Sequence, residues 1–290
     1  MKIGILFNRI TWEIKQLIGE LEKRNIDYKL INNQEIFFRL NKEKDLNQNY
    51  SLFLERSLSF LRGLYSTAIL EAKGYKVINN FECLNITGNK LLTTLKLIKN
   101  EIPTPNTCVA YTGDAALKAI EDEINYPAIL KPIIGSWGRL IAKLDDYNSA
   151  NANLEVRETL GNILQKIFYI QKFISHENTD NDIPTDIRVF VIGKKCIAAM
   201  GRYQADKDFR SNIALGGTAK PIDITSEIEK LSLNAAKATN GEIVGVDLME
   251  DNGKLSVIEV NGTPQFKGVV TATSINIASE IVDYISNNYN

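Results

Sequence analysis

Residues 131–141 have the sequence KPIIGSWGRLI, and this stretch decides how the rest of the chain is interpreted. It follows the apolar run YPAIL and contains a short glycine-rich loop made of Gly135, Ser136, Trp137 and Gly138. Because glycine has no Cβ, backbone N–H groups can converge on an anion there, and Lys131 adds a positive charge. The lysine precedes the glycines, so the stretch is neither a P-loop nor a dinucleotide motif. It is typical of a phosphate-binding loop, and a glycine-rich hairpin turn without a ligand is the alternative.

Composition excludes several classes of function. The chain has 290 residues, of which 44% are hydrophobic and 24% are charged, and its net charge is −1. These values give no indication of nucleic-acid or membrane-surface binding, and no apolar run approaches the roughly 18 residues of a membrane span. Three separate cysteines without a C-x-x-C motif argue against disulfides or structural zinc, and they favour the cytoplasm. The only histidine, His176, lies in a polar segment and is interpreted as an exposed bystander.

The first domain is predicted over residues 1–85. Strand-like runs KIGILF, DYKLIN, YSLFLERS and KVINN alternate with two helical patterns. In the first helix, apolar residues recur at Ile14, Leu17, Ile18 and Leu21. This alternation predicts a small parallel sheet flanked by helices. No dinucleotide fingerprint follows the first strand, so a Rossmann cofactor site is not expected.

Two further domains are predicted over residues 86–167 and 168–290, and the whole chain is assigned to the α/β (α+β) class. In the second domain, Thr87 is expected to cap a helix that continues to about Leu97. A strand, a helix and a hairpin around the glycine loop follow. The third domain is expected to begin with the strand FYIQKFI, and to contain long antiparallel strands, a strand pair ending in VIEVNG and a final helix.

Charged residues in the second and third domains form a set that suits phosphate chemistry. The basic members are Lys90, Lys131, Arg188, Arg202 and Arg210. Asp247 and Glu259 end neighbouring predicted strands, and Asn261 lies two residues beyond Glu259, on the same face of its strand. Carboxylate and amide oxygens of this kind suit Mg²⁺, which prefers oxygen ligands and shares the remainder with water and phosphate. Solvated strand-end acids are the alternative for each residue taken singly.

The order of these features resembles that of the ATP-grasp carboxylate–amine ligases, and the resemblance covers nearly the whole chain. It is strongest with the RimK-like branch, through the motifs GSWGRL, DIRVFVIG, FRSNIALGG and EVNGTPQFKG. Within that branch the sequence is similar to ligases that load an amino acid onto a small acidic carrier protein of the LysW type. The resemblance implies an ATP-grasp fold of three domains with a small parallel-sheet N-terminal domain.

The resemblance also implies a role for each matching residue. The phosphates of ATP are expected on Lys90 and Lys131, under a lid formed by Gly135, Ser136, Trp137, Gly138 and Arg139. The adenine is expected on a hinge formed by Gln171, Lys172, Phe173 and Ile174, although many relatives have an acidic residue where this chain has Gln171. Magnesium, as two ions, is expected on Asp247, Glu259 and Asn261. Phosphates, the acyl phosphate or substrate carboxylates are expected on Arg188, Arg202, Arg210 and Asn212.

The implied reaction begins with attack of a carboxylate on the γ-phosphate of ATP. The resulting acyl phosphate is then attacked by an amine, with Lys131 and Arg210 as the catalytic cations. The carboxylate belongs to the C-terminal glutamate side chain of the carrier, and the amine is the α-amino group of glutamate or of 2-aminoadipate. Branch-specific residues are expected at Lys267, Gly268 and Val269, and Gly268 followed by Val269 favours glutamate, which places the enzyme in arginine biosynthesis.

Three other functions stay open at this stage. They are a 2-aminoadipate ligase of lysine biosynthesis, a RimK-like glutamate ligase acting on another acceptor, and an ATP-binding regulatory protein without ligase activity. The intact acidic set and both lysines argue against the last, because a binding protein has little use for a metal site. By resemblance, a homo-oligomer such as a homotetramer is expected.

Overall fold

The computed structural model describes residues 1–41, 49–135, 138–174, 184–203 and 217–289. In these ranges the chain forms three separate sheets, which are called the N-terminal, central and C-terminal sheets. The ATP-grasp class predicted above combines a small parallel sheet with antiparallel ones, and the three sheets have this composition. No helix in the described ranges combines the length and apolar character that crossing a bilayer requires.

The N-terminal sheet is entirely parallel and has the strand order β2-β1-β3-β4. Its strands are β1 (Lys2–Phe7), β2 (Asp27–Asn32), β3 (Leu52–Glu55) and β4 (Val77–Ile78). The helices in this part of the chain are α1 (Trp12–Lys23) and α2 (Phe60–Ala72). Each predicted strand and helix is present, because the apolar pattern of this region is regular.

Helix α1 shows how local sequence and packing agree. Thr11 caps its first turn, where the hydroxyl accepts a hydrogen bond from the N–H of Ile14. Ile14, Leu17 and Leu21 lie one or two turns apart and are buried. They belong to a hydrophobic core that also contains residues of the C-terminal sheet and the last helix. The N-terminal domain is therefore packed directly against the end of the chain.

Two helices connect the first sheet to the second, α3 (Phe81–Thr87) and α4 (Lys90–Lys99). The prediction that Thr87 caps a helix was wrong, because Thr87 ends α3 and its hydroxyl bonds the carbonyl oxygen of Cys83. Asn89 caps α4 instead, accepting hydrogen bonds from the N–H groups of Leu91 and Leu92. Lys90 is consequently the first residue of a helix.

The central sheet is antiparallel, in the order β5-β8-β6-β7. Its strands are β5 (Thr107–Ala110), β6 (Ala128–Lys131), β7 (Ala142–Leu144) and β8 (Phe168–Lys172). One face is covered by α5 (Gly113–Ala119), a π-helical turn (Ile120–Ile124) and α6 (Tyr147–Leu160), with a 3-10 turn at Ile163–Lys166 before β8. The predicted boundary after residue 167 assigns β8 to the third domain, whereas β8 pairs between β5 and β6.

The C-terminal sheet is antiparallel, in the order β11-β10-β9-β12-β13. Its strands are β9 (Asp186–Ile192), β10 (Lys195–Tyr203), β11 (Thr218–Pro221), β12 (Ile243–Asp251) and β13 (Lys254–Asn261). Its helices are α7 (Ser226–Ala238), α8 (Lys267–Thr273) and α9 (Ile277–Asn288). The long strands predicted from the sequence form β9, β10, β12 and β13. Strands β9 and β12 contribute to a helix-covered core on each face of the sheet, with Phe190, Ile192 and Ile243 in one core and Val189, Val191 and Val244 in the other.

Candidate active site

The three sheets meet around one large cavity of about 480 Å³. Strands of the central and C-terminal sheets and the residues just after β3 contribute to its walls, and the lining includes six basic and three acidic residues. The basic residues are Lys90, Lys131, Arg139, Lys172, Arg188 and Arg202, and the acidic ones are Asp186, Asp247 and Glu259. This excess of positive charge suits a polyphosphate.

On the central-sheet side, Lys131 ends strand β6 and its ammonium donates a hydrogen bond to Oε1 of Gln171, at 2.6 Å. The amide nitrogen of Gln171 donates in turn to Thr107 and Tyr169. Burial, together with the nearby charge of Lys90, lowers the pKa of Lys131 to about 8. This lysine therefore has a neutral hydrogen-bond partner and a like charge close by, so an anion in the cavity would stabilise its charged form.

Lys90 links the central sheet to the C-terminal sheet. Its ammonium lies 2.5 Å from Oε1 of Glu259 and 3.3 Å from the carbonyl oxygen of Gly135, at the start of the glycine loop. Lys90 is the first residue of α4, so the position of this charge follows from the Asn89 cap. The contact joins a predicted phosphate ligand to a predicted metal ligand.

On the C-terminal side, a buried charge network surrounds Asp247. Arg188 contacts both oxygens of this carboxylate, at 2.7 and 2.6 Å, and Arg202 lies 3.0 Å from Oδ2. Burial raises the pKa of Asp247, but the two arginines outweigh burial and lower it. Burial likewise lowers the pKa of Arg202, while Asp247 and Asp186 more than offset this and raise it. Both groups are therefore held in their charged forms.

Asp247, Glu259 and Asn261 are brought together by the pairing of β12 with β13. Asp247 lies opposite Glu259 in the register, and the amide of Asn261 lies 3.5 Å from Oδ2 of Asp247. Two carboxylates and one amide oxygen fit the donor preference of Mg²⁺. In the described ranges no group of three His, Cys, Asp or Glu side chains could hold a metal, so this mixed set is the candidate.

The predicted adenine hinge consists of the last two residues of β8 and the two residues that follow the strand. Gln171 and Ile174 are buried, whereas Lys172 is exposed and bonds Asp251 at 2.7 Å. The ammonium of Lys143 lies over the ring of Phe173, 4.8 Å from the ring centroid. Apolar side chains of the C-terminal sheet, Met249 and Ile258, line the same cavity. The hinge therefore has an apolar surface across from it, as a purine ring requires.

The remaining predicted site residues divide into those that line the cavity and those that do not. Gly138 and Arg139 line it. Three predicted residues at the start of α8 do not line the cavity: Lys267, Gly268 and Val269. Val269 is buried in the hydrophobic core. Predictions were also made for five residues that lie outside the described ranges: Ser136, Trp137, His176, Arg210 and Asn212.

Part of the lining was not anticipated from the sequence. Ser57, Leu58 and Phe60 contribute from the end of the N-terminal sheet, and Thr263, Pro264 and Gln265 contribute from the segment after β13. None of these residues has a charge, and no role was predicted for Thr263, Pro264 or Gln265, although they lie within the motif EVNGTPQFKG. Their sequence signal is that the latter group begins two residues beyond Asn261.

Comparison with known proteins gives two matching families that share the chain between them. A LysX preATP-grasp domain matches residues 3–86, and a RimK-like ATP-grasp domain matches residues 87–285. The chain belongs to the RimK-like ATP-grasp family. The prediction of an ATP-grasp ligase is thereby confirmed, and ATP is its nucleotide; Mg²⁺ is typical of such ligases.

Individual members of the family match over essentially their whole length. The chain is 35% identical to the glutamate–LysW ligase ArgX of Sulfolobus acidocaldarius, covering all of this chain and 99% of the relative. It is 32% identical to the α-aminoadipate–LysW ligase LysX of Saccharolobus solfataricus, covering 94% of this chain and 96% of the relative. The solved RimK-domain ATP-grasp protein of Sphaerobacter thermophilus superimposes with a TM-score of 0.78 at 20% identity, covering 98% and 99% of the two chains. The predicted ATP-grasp fold is confirmed.

Proposed function

We propose that this ATP-grasp ligase joins the α-amino group of glutamate to the side-chain carboxylate of the C-terminal glutamate of a LysW-type carrier protein, through an acyl phosphate. The observation that carries the proposal is the convergence of Lys90 and Lys131 with Asp247, Glu259 and Asn261 on one cavity. Similarity over the full chain to a glutamate–LysW ligase supports the choice of substrates.

The side chains have roles that follow from their charge and position. Lys131 and Lys90 bind the phosphates of ATP and offset the charge of the transferring phosphoryl group. Arg188 and Arg202 face the same space from the C-terminal sheet and bind the acyl phosphate or a substrate carboxylate. The reaction needs no nucleophile from the protein, and the described cysteines have raised pKa values because of burial.

Asp247, Glu259 and Asn261 would hold magnesium, which when bound neutralises negative charge on the phosphates. We propose two ions, as in the expectation from the sequence. Arg210 and Asn212 are retained as proposed ligands of the intermediate and substrate.

The choice of glutamate over 2-aminoadipate is also part of the proposal. The two amino acids differ by one methylene, which the shape of a site distinguishes by about 1–3 kcal/mol. Because Val269 is buried away from the cavity, we propose that Gly268 and Val269 act on this choice through the position of the preceding segment. A three-domain division with β8 in the central domain, a homotetramer and a cytoplasmic location complete the proposal.

Phosphate release and carrier mass test the proposal directly. The purified protein is given ATP, Mg²⁺ and an acidic LysW-type carrier, with glutamate or 2-aminoadipate in parallel reactions. We expect phosphate release together with a carrier heavier by one glutamate residue, and little change with 2-aminoadipate.

Each other outcome identifies a different function. A mass gain restricted to 2-aminoadipate would overturn the assignment of glutamate and favour the lysine-pathway ligase. An unchanged carrier with both amino acids would overturn the choice of acceptor. ATP binding without turnover on any acceptor would favour the regulatory alternative.

A further inference from the structure

The segment that follows β13 is held in place by the N-terminal sheet. Gly262, Thr263 and Pro264 are consecutive, line the cavity and come directly after Asn261. Each contacts a different side chain, and those side chains lie at or just beyond the carboxyl ends of the neighbouring strands β3 and β4. Three separate contacts to three successive residues leave this wall little freedom to shift.

Two of the three contacts are short, and all three are made by buried side chains of the N-terminal domain. The amide of Asn79 donates to the carbonyl oxygen of Gly262 at 2.6 Å, and the guanidinium of Arg56 donates to that of Pro264 at 2.7 Å. Between them, the hydroxyl of Thr263 donates to Oε2 of Glu55 at 3.2 Å. Glu55, Arg56 and Asn79 are 3%, 6% and 2% exposed, so these bonds are largely shielded from competing water.

Glu55 connects two sides of the cavity through one carboxyl group. Its other oxygen, Oε1, accepts a hydrogen bond from the N–H of Ser57 at 2.7 Å. Ser57 and Thr263 both line the cavity, but they belong to the N-terminal sheet region and the C-terminal sheet region respectively. The neighbouring Gly63 leaves room for this carboxyl, because a Cβ there would lie 2.8 Å from Oε1.

Asn79 performs a similar function one strand away. Its amide oxygen accepts from the N–H groups of Glu242 and Ile243, and its nitrogen donates to the carbonyl oxygens of Ile243 and Gly262. The start of β12 and the end of β13 are thus tied to the same side chain. Asp247 and Asn261 lie on these two strands.

The following residues continue the attachment. Phe266 is fully buried, with the edge of Trp12 against its ring at 5.9 Å between centroids. The N–H of Lys267 donates to Glu13 at 3.3 Å. Both partners lie on α1, so the N-terminal domain also sets where α8 begins.

The cavity wall formed by Gly262, Thr263 and Pro264 does not include Lys131 or the adenine hinge, which are proposed to bind ATP. Lys131 and the adenine hinge lie at the central sheet, whereas Ser57, Leu58 and Phe60, together with Thr263, Pro264 and Gln265, form a part of the lining that comes from the other two domains. This part of the lining is available to the substrates other than ATP.

We propose that Glu55, Arg56 and Asn79 are positioning residues, which fix Gly262–Pro264 and thereby control binding of the amino acid and carrier carboxylate but not of ATP. The kinetic half of this inference rests on the proposed function. Small displacements of substrate-positioning groups produce large losses in rate, so the effect is expected to be measurable.

The test uses Glu55→Ala and Arg56→Met, with Glu55→Gln as the conservative variant. Glutamine can still accept from Ser57 through its oxygen and donate to Thr263 through its nitrogen. Glu20→Ala is the matched control. Glu20 is also a buried carboxylate of the N-terminal domain, but it bonds Lys23, Arg24 and Asn276 and does not line the cavity.

Hydrogen exchange by mass spectrometry is the first measurement. In Glu55→Ala and Arg56→Met we expect the peptide containing residues 262–266 to exchange at least about tenfold faster, while peptides from residues 128–144 stay unchanged. Glu55→Gln should resemble the wild type. Unchanged exchange at 262–266 in both variants would overturn the proposal, as would equal acceleration in the Glu20→Ala control. This measurement does not depend on which substrates the enzyme uses.

Kinetics is the second measurement, made with ATP, glutamate and the carrier. We expect the KM for glutamate to rise at least about tenfold in Glu55→Ala and Arg56→Met, with the Kd for ATP within about twofold of the wild type. A parallel loss of ATP affinity would refute the selective role. If the wild type does not transfer glutamate, the proposed function fails, and hydrogen exchange with the ATP affinity still decides the positioning role.

Discussion

The central-sheet and C-terminal-sheet walls of the cavity carry their charges in opposite ways. On the C-terminal wall, Asp247 is fully compensated by Arg188 and Arg202. On the central wall, Lys131 is bonded to the neutral Gln171 and lies near the like charge of Lys90. The carboxylate of Asp247 is thus paired directly with two cations, whereas the hydrogen-bond partner of Lys131 is neutral, and Glu259, Asp186 and Asp247 offset only part of the effect of burial on its pKa.

This difference separates stability from ligand binding. A buried ion pair adds little net stability, but removal of one partner is strongly destabilising because it leaves the other charge uncompensated. The half-buried Lys131, whose hydrogen-bond partner is neutral, is partly desolvated in the empty site and gains a compensating charge when a phosphate binds. Mutation of Asp247 should therefore reduce stability as well as activity, whereas mutation of Lys131 should reduce ligand binding without a loss of stability.

Removal of charge on the C-terminal wall should have the largest effect. Asp247→Asn leaves two buried arginines poorly compensated, so we expect a loss of about 3–5 kcal/mol in the free energy of unfolding, together with loss of ATP turnover. Urea denaturation and phosphate release measure the two effects. Asp251→Asn is the control, because Asp251 forms only a partly exposed pair with Lys172 and should cost about 0–1 kcal/mol. Equal costs for both variants would remove the distinction between the walls.

The central wall should show the reverse pattern. Lys131→Met removes a charge that burial disfavours, so we expect a folded protein no less stable than the wild type. Turnover should nevertheless fall by about 10²–10³-fold, because a donor to the transferring phosphate is lost. The exposed hairpin residue Lys195 provides the control variant Lys195→Met, which should leave both quantities unchanged. Wild-type turnover in Lys131→Met would contradict the site assignment.

The pKa of Lys131 predicts a pH dependence confined to this wall. It is lowered from 10.5 to about 8, so above pH 8 the lysine loses its proton and ATP affinity should fall, by up to about tenfold per pH unit.

The stability of the protein should change with pH in the opposite direction to its ATP affinity. Between about pH 8 and 10.5 the unfolded chain binds more protons at this lysine, so the stability of the wild type relative to Lys131→Met should rise with pH in that window. Calorimetric titration with ATP and urea denaturation across this range, on both proteins, check the two trends. A pH-independent difference between the proteins would show that Lys131 does not titrate there.

The smallest expected effect comes from making the central wall resemble the C-terminal one. Gln171→Glu gives Lys131 a permanent carboxylate partner, which competes with the phosphates. We expect ATP affinity to fall by roughly fivefold, about 1 kcal/mol, and the pKa of Lys131 to rise. Equilibrium ATP binding measures the affinity. Disappearance of the pH trend above pH 8 would show the rise in the pKa of Lys131. Tighter ATP binding in this variant would show that the neutral partner is not important.

Regular elements were predictable from the sequence because their signals are local. The apolar spacing in α1 and the alternation in β12 and β13 each lie within a dozen residues. The opposition of Asp247 and Glu259 follows from the pairing of those two strands. The residues proposed for magnesium could therefore be chosen from the sequence.

Other features required distant contacts. The sequence identified β8 as a strand but could not indicate that it lies between β5 and β6. The start of α4 was misplaced because both Thr87 and Asn89 are suitable caps, and only the contact of Thr87 with Cys83 separates them. The role of residues 262–264 was not visible, because their partners Glu55, Arg56 and Asn79 lie about 180–210 positions away in the chain.

The sequence by itself therefore determined the class of fold, the family and the chemical types of side chain available for phosphate and metal. Tertiary structure decided which of these charges are compensated, and which residues complete the cavity. The physical reason is that hydrogen-bonding capacity and periodicity are properties of neighbouring residues, whereas desolvation and charge compensation depend on everything within a few ångströms. Lys131 and Asp247 illustrate the point: each is a charged residue on a strand, and only the tertiary structure shows that Lys131 bonds a neutral side chain whereas Asp247 is paired with two arginines.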